Sequence, residues 1–305
     1  MRHAARRPLR RRHRHRMVSV TVAVLMAGCG LQETDLPVPE PTVGSIGTLV
    51  HTKGLLLPLD AYIFSFKEYR LLGEAQRLLL RRCMQRFGIS YQTPATPPLA
   101  GIGVQTRNER RYLVTDTAEA GRYGYRVPTF SDREPPRSPQ DDDPRVVAVL
   151  TGEGGGTSHN TSLVPSGGCV GESQRLLRRG ASDSASEDIA EPMAMRSWEQ
   201  SARDSRVQEV FARWSECMER AGFRYGTPLE PARDPQLQRS LSPAQINTAV
   251  ADTICKKRHN VIGVWAAVEA AYQQRLIEAN KPALEALRAA NAARLRTASA
   301  VVGHE

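Results

Sequence analysis

Cysteine offers the most constrained chemistry in this chain, and there are five of them. Cys29 closes the run Leu25-Met26-Ala27-Gly28-Cys29, which has the form of a bacterial lipobox. In such a run small residues precede a cysteine whose thiol takes a diacylglycerol before cleavage ahead of it. Met26 stands where leucine is usual, with Leu25 one place earlier. Two acyl chains hold a protein stably at a bilayer where one is marginal. The other four, Cys83, Cys169, Cys217 and Cys255, are an even number in a chain expected to be exported, which favours disulfides. A thiolate nucleophile or a zinc site is the alternative. Neither is supported: no Cys-x-x-Cys or His-x-x-x-His spacing exists, and only His51, His159, His259 and His304 lie beyond residue 28.

Other polar groupings offer less. Gly152-Glu153-Gly154-Gly155-Gly156-Thr157-Ser158-His159 could cradle an anion, but it lacks the Gly-Lys-Ser/Thr of a phosphate loop. Asp141-Asp142-Asp143 lacks the alternation of a calcium loop and reads as a solvated turn. Ser158 beside His159 is adjacency along the chain, which says nothing about a triad in space. Asn160-Thr161-Ser162 matches a glycosylation sequon, set aside because a lipobox implies a bacterium. Tyr112, Tyr123 and Tyr125, with Arg110, Arg111 and Arg122, form an aromatic–basic cluster that suits core-edge packing or a contact surface. No catalytic residue, cofactor site or metal site is assigned.

The elements that must position the cysteines are organised around a repeat. Cys83-Met84-Gln85-Arg86-Phe87-Gly88-Ile89-Ser90-Tyr91-Gln92-Thr93-Pro94 returns as Cys217-Met218-Glu219-Arg220-Ala221-Gly222-Phe223-Arg224-Tyr225-Gly226-Thr227-Pro228, with seven of twelve positions identical. Each copy looks like a helix end, with Gly in C-cap position and Thr-Pro beyond it. The spacing predicts a mainly helical protein of two related disulfide-stapled units. The first spans 59–185 with a loop-rich insert at 92–168, and the second spans 190–300. Each unit then pairs a helix-end cysteine with a later one, so Cys83–Cys169 and Cys217–Cys255 are preferred over the other two connectivities. The loop-entropy model gives these roughly 4.5 and 4 kcal/mol as upper-end values.

Within the first unit a helix is expected from an Asp60 N-cap to Phe87, a short one near Thr117–Gly121, a strand over Arg145–Leu150 and a polar helix over Val170–Arg179. Within the second, Val207, Val210, Phe211, Trp214, Cys217, Met218 and Ala221 share a helical face. A very long helix is expected to follow the Ser242-Pro243 start, kinked or restarted at Pro282.

Residues 1–28 have the layout of a signal peptide, and 29–58, rich in Pro, Gly and Thr, of a flexible tether. The apolar run 17–27 is too short for the ~20 residues that span a bilayer. The formal charge of +10 is concentrated at the N-terminus. Residues 1–28 hold eight arginines and no acid, leaving 34 basic against 32 acidic residues elsewhere. That balance argues against a nucleic-acid partner.

The repeated Cys-Met-x-x-x-Gly-x-x-Tyr, the run Val164-Pro165-Ser166-Gly167-Gly168-Cys169-Val170-Gly171-Glu172 and Thr248-Ala249-Val250-Ala251-Asp252-Thr253-Ile254-Cys255 together resemble an actinobacterial family of lipoproteins and secreted proteins. The resemblance covers most of 57–280 and implies no activity. The expectation is a cell-surface lipoprotein, held on the outer face of the cytoplasmic membrane through Cys29. Its role is read as non-catalytic binding of, or service to, an envelope protein or cell-wall component, with simple secretion as the alternative location. Its rivals are a cell-wall hydrolase, which needs carboxylates or a Ser/His pair converging in one cleft, and a transporter's solute-binding lipoprotein, which needs an enclosed pocket between the units.

Overall fold

A computed structural model of the chain describes residues 39–92, 106–127, 143–153, 164–180, 189–238 and 240–304. Cys29, the leader, Asp141, Asp142 and residues 154–163 with their glycines, Ser158 and His159 lie outside the described residues. Ten α-helices are described and no strand among the same residues: α1 Phe66–Arg86, α2 Thr117–Tyr123, α3 Pro144–Thr151, α4 Gly168–Leu177, α5 Ala190–Arg203, α6 Ser205–Arg220, α7 Pro235–Gln238, α8 Pro243–Arg258, α9 Val261–Ala279 and α10 Lys281–Gly303. The fold is thus mainly helical and carries two disulfides, Cys83–Cys169 and Cys217–Cys255.

Helix starts follow local capping chemistry more closely than hydrophobic periodicity. The expected Asp60 start is instead a 3-10 turn, Pro58–Tyr62, and α1 begins at Phe66, behind an N-cap Ser65–Glu68 capping box. The expected strand at 145–150 is helix α3. Its apolar run fits either period, but Asp143 caps Arg145 N–H, Pro144 takes the first turn and left-handed Gly152 ends the helix. The expected long helix breaks at Asn260, whose φ of 50° ends α8 and lets α9 leave in a new direction. Pro282 sits in the first turn of α10.

The segment before the first turn is no free tether from Glu40 onward. Asn260 holds it from both sides of its amide, accepting from Leu49 N–H and donating to the Gly47 carbonyl. Gly263 allows this approach, because a Cβ there would lie 2.3 Å from the Gly47 oxygen. Thr52, fully buried, joins Thr115, and Asn108 joins the Leu55 carbonyl and Asp60. Val43, Leu49 and Leu55 pack against the main core. A segment with no periodicity of its own is therefore ordered by side chains far along the chain.

That main core gathers α6, α8 and α9 with Tyr112 of the 106–127 stretch. Trp265 is its hub: Tyr112, Trp198 and Phe211 lie with ring centroids 4.6, 5.7 and 5.0 Å away. Such pairs add about 0.5–1.5 kcal/mol each beyond area burial. A smaller core under the first disulfide joins Cys83, Met84, Ile89, Tyr91, Val146, Val149 and Cys169. α1 packs on α4 and along α10, while α2 packs on α8. Residues from both halves of the sequence thus interleave, and Glu40–Glu305 forms one compact unit holding every described core cluster and both disulfides.

Candidate functional site

The repeated motif is a structural device. At the end of α1, Ile89 N–H donates to the Met84 carbonyl (3.1 Å) and Gly88 N–H to the Gln85 carbonyl (2.9 Å). At the end of α6, Phe223 N–H donates to Met218 (2.9 Å) and Gly222 N–H to Glu219 (2.9 Å). Both are complete Schellman caps with left-handed glycines, φ 70° and 91°. Three positions of the motif shape this cap. Met is the buried C3 residue, Gly takes the left-handed position, and the following apolar residue folds back onto Met. The cysteine before Met points to a partner at Cα–Cα 5.6 Å in one copy and 5.7 Å in the other. An arginine donates to the sulfur in each, Arg86 to Cys83 at 3.2 Å and Arg258 to Cys217 at 3.7 Å. The partner cysteines differ in setting: Cys169 is the second residue of α4, whereas Cys255 lies near the end of α8.

The strongest electrostatics lie inside the main core, where sequence reading assigned no role to Asp252, Lys256 or Glu269. Lys256 and Asp252 are fully buried and paired at 2.9 Å. Burial pushes the Asp252 carboxyl up and the Lys256 ammonium down, each opposed by the attraction of the other. Their hydrogen bonds fit an ion pair. Three acceptors surround Nζ (Asp252, and the Tyr112 and Val114 carbonyls), and Trp214 donates to the second Asp252 oxygen at 2.9 Å. Glu269, equally buried, accepts from Arg111, from the Tyr112 hydroxyl (2.7 Å) and from Gln273 (2.9 Å). Burial works against the Arg111 charge, but the carboxylate of Glu269 beside it more than compensates, and the Arg111 pKa rises. Burial, then the Glu269 charge, pushes the Tyr112 hydroxyl well above its ordinary value.

These bonds tie the 106–127 stretch to α8 and α9. Tyr112 therefore contributes no contact surface: it is wholly buried, its ring in the tryptophan cluster. Tyr125 packs with Val114, Ala120 and Ala249, its hydroxyl buried beside Asp252. Tyr123, at the end of α2, is half-buried. The three tyrosines form no common face.

What does face solvent is a segregated charge. α1, α4 with its turn to Gly180, and α10 carry thirteen Lys and Arg against four Glu. The four glutamates are each engaged locally: Glu68 in the Ser65 capping box, Glu74 with Arg77, Glu172 with Arg86 and Glu285 with Arg288. α5, α6, α8 and α9 carry nine basic residues against eight acidic. The whole-chain balance hid this asymmetry, so the expectation that no cationic excess survives beyond the leader does not hold locally. At its densest point Arg86, Arg175, Arg178 and Arg179 line one open hollow of about 730 Å³ with Glu172 and Leu176. The signal available beforehand was Arg81-Arg82 and Arg178-Arg179 on two helices joined by one disulfide.

Among the described residues no group of His, Cys, Asp and Glu is placed to hold a metal ion, and no helix is long and apolar enough to cross a membrane. Two buried disulfides point to an oxidising, extracytoplasmic location. No family model, curated protein or solved structure matches the chain.

Proposed function

We propose that this protein is a lipid-anchored, extracytoplasmic binding or accessory protein of the bacterial envelope that acts without catalysis. The observation that carries the reading is the division of its charges. Asp252, Lys256, Glu269 and Arg111 are committed to holding core elements together, whereas Arg86 of α1 and Arg175, Arg178 and Arg179 of α4 and its following turn are exposed around an open hollow. A hydrolase needs its carboxylates in a cleft that substrate enters, and here Asp252 and Glu269 are sealed at 0% exposure. The lipobox at Cys29 supports anchoring, and the resemblance to actinobacterial lipoproteins supports the address.

The test is fractionation of cells expressing the full chain and its Cys29→Ala variant. Wild type is expected in the membrane fraction and the variant in the unprocessed or released pool, both with no titratable thiol at residues 83, 169, 217 and 255. Four free thiols in a cytosolic protein would sink the reading.

A further inference from the structure

We infer that the arginine face of α1 and α4 docks on anionic phospholipid headgroups of the membrane that carries the chain, and so sets the orientation of the folded body. The inference rests on the reading that Cys29 is lipidated, and it adds a second, non-covalent contact with the same bilayer.

Three observations lead there. The first is reach. Because the chain is held to the core from Glu40 onward, only eleven residue steps separate it from Cys29. Eleven steps extend at most about 40 Å whatever their conformation. A compact body of this length is on the order of 45 Å across. The leash is therefore no longer than the body is wide, and the body stays beside the headgroups at high effective concentration.

The second is charge. Arg82, Arg86, Arg175, Arg178 and Arg179 are exposed, while the glutamates of the same helices are half-buried and locally bonded. Guanidinium groups fork onto phosphate oxygens, and each cation near an anionic leaflet strengthens attachment by about fivefold.

The third is shape. The hollow is an open depression beside the first disulfide, lined on both sides by arginine. Such a surface meets a two-dimensional array of phosphates better than it encloses one small ligand. Diacylation already retains the protein, so the contact orients the body.

The test uses residues 40–305, which contain every described core cluster and both disulfides and omit the leader, whose eight arginines would bind vesicles by themselves. Sedimentation with phosphatidylcholine vesicles containing about a third phosphatidylglycerol is compared with pure phosphatidylcholine. Binding is expected only to the anionic vesicles and is expected to fall steeply between about 50 and 300 mM salt. Arg175→Glu with Arg179→Glu should weaken it at least about 25-fold. Arg196→Glu with Arg203→Glu, an equal change of net charge on exposed positions of α5, should leave it within about twofold.

Equal binding to both vesicle types, indifference to salt, or equal loss in the two double variants overturns the proposal. So does tighter binding of soluble polyphosphate than of the anionic vesicles, which would assign the face to a free phosphopolymer. No acyl chain is present in this assay, so its outcome is independent of the Cys29→Ala fractionation.

Discussion

The same capped helix end occurs twice in this molecule, and its two settings differ in almost every other respect. Around Cys217 the motif lies in a core built on Trp265, braced by Lys256–Asp252 and Arg111–Glu269, and its neighbouring surface is balanced in charge. Around Cys83 the core is small and mostly aliphatic, the nearby ion pair Arg86–Glu172 is half exposed, and the surface is strongly cationic. A repeated local device has thus been placed once in the load of the fold and once beneath a cationic surface. What repeats is the backbone solution. What diverges is everything that depends on neighbours.

The most severe test of that contrast sets one charge removal against another. Lys256→Met leaves Asp252 buried without its partner and is expected to cost about 3–5 kcal/mol. Glu172→Gln removes the partner of an arginine that is 56% exposed and should cost less than about 1 kcal/mol. Urea midpoints at constant slope measure both, and similar losses would erase the distinction between the halves.

Removing the bridges comes next. Replacing either cysteine pair by serine should cost about 2–5 kcal/mol. The first closes a loop over 86 positions and the second over 38, so ring entropy alone makes the Cys83–Cys169 pair about 0.7 kcal/mol the more valuable. That order is expected; its reversal in thermal or urea unfolding would show that packing in the tryptophan core decides instead.

The glycines probe what the halves share. Gly88→Ala and Gly222→Ala each place a Cβ in open space at positive φ, so strain alone is felt, about 1 kcal/mol in each case. Equal losses confirm that the caps are interchangeable, and a difference above about 1 kcal/mol breaks the equivalence.

The smallest effect is one of pH. Burial, then Arg213, Arg258 and Arg220, hold the His259 imidazole below its ordinary value, and its Nε2 has no partner among the described residues. With the folded pKa depressed, the unfolded chain takes up the proton first. Stability is therefore complete above about pH 6.5 and declines as pH falls toward the folded value. His259→Asn should flatten unfolding midpoints between pH 7 and 5, whereas α1, α3 and α4 around the first disulfide carry no histidine.

Much of the local structure was legible from residue types alone. Cysteine number and order indicated both bridges, and Gly88 and Gly222 with their apolar followers indicated both caps. Errors arose where two local readings competed, as in Val146–Leu150, whose apolar run suits strand or helix until Asp143, Pro144 and Gly152 are weighed together. The segment 40–57 failed differently: its order comes from Asn260, Thr115 and Asn108, and composition cannot reveal such partners.

By itself, then, the sequence determined the helical class and the capped repeat and favoured one pairing of sulfurs, because caps depend on residues near in the chain and few cysteines leave few pairings. Only tertiary structure decided that Asp252 and Lys256, four apart and ordinary on a helix surface, are sealed inside, that α10 returns to lie along α1, and that the arginines of α1 and α4 share one hollow. Burial and electrostatic potential are properties of what surrounds a residue, and the surroundings are assembled from segments as far as 229 positions away.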